Sequence, residues 1–132
     1  MHVERLRQLY DSTVADLERM PALLDEIADP DIQFVTRDGR QRGKAAFRSY
    51  NEGWLLPRDS PLVAEISVDD VIDAGAGDFV VLLTVHRRNV EKEGEYLRAW
   101  PAHVWRFNGD KAVFFEGYVN HAAAVKAVGL TG

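Results

Sequence analysis

The apolar residues of this chain change their prevailing rhythm between Trp54 and Leu62. Before that point most recur every three or four positions, and after it, as far as Val119, most alternate. Helices followed by strands bury both patterns most simply when the helices lie on one face of a curved antiparallel sheet, an α+β arrangement.

Val3, Leu6, Tyr10, Val14 and Leu17 make the first helical stripe, from His2 to Leu17. A second helix is expected from Met20-Pro21, where proline suits the first turn, and it buries Leu23, Leu24 and Ile27. Asp29-Pro30-Asp31 ends it, Ile32 to Thr36 reads as a short strand, and Arg37-Asp38-Gly39 as a turn. Gly43 to Trp54 returns to helical spacing through Ala46, Phe47, Tyr50 and Trp54, until the stretch Leu56 to Pro61 breaks it.

Strand patterns follow. Leu62 to Asp73 is a long strand with a bulge expected near Asp69-Asp70, and a glycine-rich turn leads into Phe79 to Asn89. Glu91 to Glu95 reads as a hairpin tip and Tyr96 to Phe107 as the next strand, in which Pro101 implies an edge or a bulge. Asn108-Gly109-Asp110 supplies turn chemistry, and the return strand puts Val113, Phe115, Gly117 and Val119 on one side. A short helix then runs to Val128, with Asn120 as its N-cap and Gly129 as its stop.

His103 shares a face with Trp105 and Phe107, because side chains alternate along a strand. A histidine among bulky rings, opposite a glycine that leaves room, is what a lined pocket needs; a well-packed core can contain it too. The strand from Phe79 is apolar on both sides, with Val81 and Leu83 opposing Val80 and Leu82. An outer face of that kind marks an interface, so homodimerisation through it is expected.

A length of 132 residues suits one domain, 1–132. The formal charge of −5 argues against a nucleic-acid partner. Cysteine is absent, which removes disulfides and thiol chemistry. The N-terminus lacks the apolar core of a signal peptide and no run is long enough for a bilayer, so a cytoplasmic protein without a membrane partner is expected. Asp69, Asp70 and Asp73 have no histidine spaced to join them, and Arg37, Arg40, Arg42 and Lys44 read as a solvated basic loop. No metal and no cofactor is expected.

Three stretches carry a resemblance: Asp38 to Phe47, His103-Val104-Trp105-Arg106-Phe107 with its glycine turn, and Tyr118-Val119-Asn120 with Ala124 to Leu130. Together with the element order they resemble the nuclear transport factor 2-like superfamily, including its SnoaL-like members, over nearly the whole chain. The resemblance implies a cone-shaped α+β barrel of cystatin-like topology, its N-terminal helices packed in the concave face around a cavity. Pro101 to Gly109 is also similar to a strand of ketosteroid isomerase. By that likeness Tyr10 stands where the family keeps its oxyanion-hole tyrosine, His103 where it keeps an aspartic acid, and Trp105 where it keeps a phenylalanine. The catalytic base aligns with Thr36, which removes the proton shuttle of the isomerase. Related cyclases and hydrolases keep an acid where this chain has Asn120.

The resulting expectation is a cofactor-independent protein that binds a small hydrophobic, even cyclic, organic molecule. Its chemistry would be that of an isomerase, cyclase or hydrolase; the alternative is a non-catalytic ligand-binding or association module. Tyr10 and His103 are the candidate catalytic pair, two donors aimed at one oxygen. Trp54, Trp105 and Phe115 are the candidate lining, with Asn120 as a further contact besides its capping role.

Overall fold

A computed structural model describes residues 2–15, 20–36, 38–55, 62–89 and 96–129. The helices are α1 (His2–Ala15), α2 (Met20–Ile27), α3 (Lys44–Leu55) and α4 (His121–Ala127). The strands are β1 (Ala28–Thr36), β2 (Gly39–Arg42), β3 (Leu62–Gly75), β4 (Asp78–Asn89), β5 (Tyr96–Ala99), β6 (Ala102–Asn108) and β7 (Lys111–Tyr118). They form one seven-stranded sheet in the order β2-β1-β7-β6-β4-β3, with β5 also paired to β4.

The sheet is mixed, where the alternation suggested an antiparallel one. β1 lies parallel to β7, Phe34 beside Phe115, because the chain passes through α3 and the β3–β6 strands before it returns to β1. Two further differences concern strand boundaries. β1 begins at Ala28, so Asp29-Pro30-Asp31 lies within the strand, at an irregularity of its register with β7. The stretch before α3 that reads as a basic loop contains β2, whose pairing with β1 from Gln33–Arg42 to Thr36–Gly39 has no apolar pattern to announce it. Arg37, the loop from Leu56 to Pro61 and the tip from Glu91 to Glu95 lie outside the described residues.

The bulge expected near Asp69-Asp70 is present. The β3–β4 register shifts between Val68 and Asp70, and the carboxylates serve the bulge: Thr84 Oγ1 donates to Asp69 at 2.6 Å and the Val71 amide to Asp70 at 2.9 Å. At the turn that follows, the Phe107 amide donates to the Gly77 carbonyl at 2.8 Å. A Cβ on Gly77, at φ +83°, would lie 2.5 Å from the Phe107 carbonyl oxygen, so only glycine lets the turn sit against β6.

Pro101 divides what its sequence suggests as one strand. β4 pairs with β6 over Asp78–Leu82 and with β5 over Val85–Arg88, and between them the Leu83 amide donates to the Pro101 carbonyl at 3.0 Å. The Leu83 carbonyl accepts from His121 Nε2 at 2.8 Å, which makes half-buried His121 part of the strand break.

Two apolar clusters result. On the concave face Leu6, Leu9 and Tyr10 of α1, Leu24 and Ile27 of α2 and Phe47 of α3 meet Phe34, Val81, Trp105 and Phe115. On the other face α4 lays Ala124 on Val80, Ala102 and Val104. The stretch of outer face that suggested a dimer is therefore covered in part by the chain's own last helix. Val119, aligned in the sequence with Phe115 and Gly117, falls beyond β7 and is 85% exposed.

Candidate functional site

β6 and β7 set the spacing of the site. His103 faces Gly117 across the strand pair and Trp105 faces Phe115, all on the concave side. α1 brings Tyr10 over them one turn after Leu6, and α3 brings Phe47. Phe47 meets Trp105 edge-on at 5.8 Å and Phe115 at 5.4 Å; Phe115 meets Trp105 at 4.8 Å and His103 at 4.9 Å. Such edge-to-face contacts put the positive rim of one ring against the negative face of the next.

A hydrogen-bonded series runs through this ring layer. Trp105 Nε1 donates to Tyr10 Oη at 3.1 Å, and Tyr10 Oη lies 2.5 Å from His103 Nδ1. The imidazole is 8% exposed, and its Cδ2–Nε2 edge is the part nearest to exposed Gly117: a Cβ there would stand 3.6 Å from Cδ2 and 3.9 Å from Nε2. Burial pushes the His103 pKa down to about 4 from 6.5, so the ring is neutral at pH 7. Burial likewise raises the Tyr10 pKa, against a smaller opposing effect of the Trp105 hydrogen bond. Two neutral groups in series can hold and orient a hydrogen bond at neutral pH, whereas ionising either one is unfavourable.

Of the residues singled out in the sequence, Tyr10, His103, Trp105 and Phe115 meet in this one cluster. Tyr10 and His103 stand in series, with the phenol bonded to the imidazole, rather than side by side toward a third atom. Asn120 is exposed, and its Oδ1 accepts from the Ala123 amide at 2.7 Å as the N-cap of α4. Trp54 belongs to α3, but its side chain lies outside the described residues. Thr36 turns its hydroxyl into the β1–β2 turn, donating to the Gly39 carbonyl at 3.2 Å and accepting from the Asp38 amide at 3.1 Å. Glu116 pairs with Val104 on the opposite face and accepts from Tyr118 Oη at 2.6 Å. Nothing in the sequence announced the Trp105 indole as a donor to Tyr10, since that contact joins positions 95 residues apart. His2, which carried no signal as a terminal residue, stacks on Phe107 at 4.2 Å.

No protein-family model and no curated protein matches the chain. Solved structures do. A nuclear transport factor 2-like protein of unknown function from Burkholderia pseudomallei K96243 is 21% identical, with a TM-score of 0.65 over 96% of this chain and 95% of that one. This chain has the nuclear transport factor 2-like fold. A candidate SnoaL-like polyketide cyclase from Jannaschia sp. CCS1 superposes with a TM-score of 0.69 at 15% identity, covering 98% of this chain and 92% of its own. An LEH-like epoxide hydrolase of M. tuberculosis reaches 0.61 at 10% identity, over 96% and 83%. At these identities the likeness speaks for the fold, and that fold carries unrelated chemistries.

Proposed function

We propose that this chain binds a small hydrophobic organic molecule, ring-shaped by preference, on the concave face of its sheet, with His103 as the polar anchor and Tyr10 behind it. The observation that carries this is the Trp105–Tyr10–His103 series buried within a layer of aromatic rings. Buried polar groups are costly unless satisfied, and here three meet at one point beside a glycine. Neighbours of the same fold that include a candidate polyketide cyclase and an epoxide hydrolase lend support for an isomerase-, cyclase- or hydrolase-like reaction.

A second reading, binding without turnover, is favoured by a specific set of placements. Thr36 serves a turn, Asn120 a cap, and Glu116 the opposite face, while His103 resists protonation. The proposal extends to a cytoplasmic homodimer joined where α4 leaves the outer face open, around Gln33, Phe114 and Arg106. Among the described residues no helix is long and apolar enough to cross a membrane. Sedimentation as a monomer at high concentration would remove the dimer.

The ligand reading is tested by titrating isotope-labelled protein with cyclic ketones and lactones. Resonances of His103, Gly117 and the Trp105 indole should move in the wild type and stay still in Gly117→Leu, whose side chain would cover the imidazole edge. Shifts confined to the outer face, or shifts that Gly117→Leu leaves unchanged, overturn it.

A further inference from the structure

We infer that α4 is an autoinhibitory strap: latched to the sheet by His121, it occupies the apolar patch of β4 and β6 through which two copies of this chain would otherwise associate.

The helix is weakly held. With seven residues it is too short to persist by itself in water, so its stability comes from what it packs on. Ala124 is its one buried residue, a single methyl set on Val80, Ala102 and Val104, and Val128 at its end adds a partly buried contact. Its caps are internal: Asn120 Oδ1 accepts from the Ala123 amide, and the Val128 and Gly129 amides donate back into the helix. Among the described residues one hydrogen bond joins α4 to the sheet, from His121 Nε2 to the Leu83 carbonyl at 2.8 Å. A carbonyl only accepts, so the imidazole is the donor. That acceptor is left over because β4 pairs with β6 as far as Leu82 and with β5 from Val85. The strand break thus supplies the acceptor and His121 the donor.

The surface beneath α4 is apolar. Val80 and Leu82 of β4, Ala102 and Val104 of β6 and Ile72 of β3 form it, and none of these side chains carries a polar group. It borders the open part of the same face, where the Arg40 and Arg106 guanidiniums stand over Phe114 and Glu116 accepts from Tyr118. An apolar patch is complementary to itself, and a border carrying both signs matches a copy related by a two-fold axis. A second copy is therefore the occupant that fits the uncovered face. The identity of that partner rests on the outer-face dimer proposed above; the weak docking of α4 does not.

Hydrogen exchange reads the latch. The α4 amides should exchange roughly a hundredfold faster than those of β6, because the helix opens without the sheet, and equal rates overturn the strap. His121→Phe keeps a ring and removes the donor. It should speed exchange in α4 by a further factor of roughly three to ten with β6 unchanged, and His121→Gln, which can still donate, should return most of the loss. Exchange indifferent to His121→Phe removes His121 from the role.

Sedimentation equilibrium reads the covered face. His121→Phe should self-associate roughly three- to tenfold more tightly than wild type, since affinity follows the population of the open form. Ala124→Asp, which sets a carboxylate against Val80, Ala102 and Val104, should exceed it, and serves if His121→Phe fails to fold. Equal association of wild type and variants overturns the strap and leaves the open-face dimer standing. A monomeric wild type beside associating variants supports the strap and removes that dimer. Variants that stay monomeric while α4 opens overturn the autoinhibitory role.

Discussion

On the concave face, β4, β6 and β7 present Val81, His103, Trp105 and Phe115 beneath α1 and α3; on the other, β4 and β6 present Val80, Ala102 and Val104 beneath α4. The first region is filled by large rings held at fixed angles, with a polar series in its midst. The buried members of the second are small side chains, Val80, Ala102, Val104 and Ala124, with Ile72, Leu82, Tyr118 and Val128 packed around them under a seven-residue helix. Large rings can surround buried polar atoms and keep water from them. Small residues under a short helix seal a surface but build no chemistry.

The sharpest way to break this contrast is Phe47→Ala. Phe47 is fully buried and joins Phe34, Trp105 and Phe115, so truncation should cost about 3–5 kcal/mol in urea unfolding. A loss well below that would mean the ring layer can collapse around the gap.

Acid should act through the concave face. Unfolded imidazole takes up a proton below pH 6.5, while folded His103 does so only near pH 4, so the unfolded state binds more protons between those values. Stability should therefore fall as pH drops from 6.5 toward 4, by at most about 3 kcal/mol, and this slope should shrink in His103→Gln. Unfolding midpoints measured across that range in both proteins check the sign.

The outer face should respond to the opposite change. Ala124→Leu forces bulk between α4 and β6 where Ala124 has no exposed surface, at about 1–3 kcal/mol, with the His103 resonances unmoved. Asn120→Ala removes the cap of the same helix and should cost about 1 kcal/mol, read as faster amide exchange in α4. Smallest of all, Gly117→Ala adds a Cβ at ordinary contact distance from the imidazole, 3.6 Å at nearest. It should stabilise β7 by about 0.5 kcal/mol, and a destabilised variant would mean the ring has no slack.

Much of the fold was legible because it is periodic. The stripe holding Leu6 and Tyr10, the bulge beside Asp69, the Asn120 cap and the Gly129 stop are local features, each readable within a few residues. β2 was not legible: Gly39-Arg40-Gln41-Arg42 has no apolar alternation and exists as a strand because β1 lends it partners. The strand break after Ala99 was half legible, since Pro101 signals trouble without saying that β4 changes partner there. His121 looked exposed because its partner, the Leu83 carbonyl, is orphaned only by that change.

For the candidate site, sequence alone determined which side chains share a face, since alternation along β6 puts His103 with Trp105 whatever the sheet does. Tertiary structure decided what those side chains do to one another. Tyr10 comes from a helix 93 residues away from His103, and the polarity of a hydrogen bond depends on distances that no local pattern encodes. Periodicity is a property of the backbone, while the roles of donor and acceptor arise only when separate elements close on the same few ångströms.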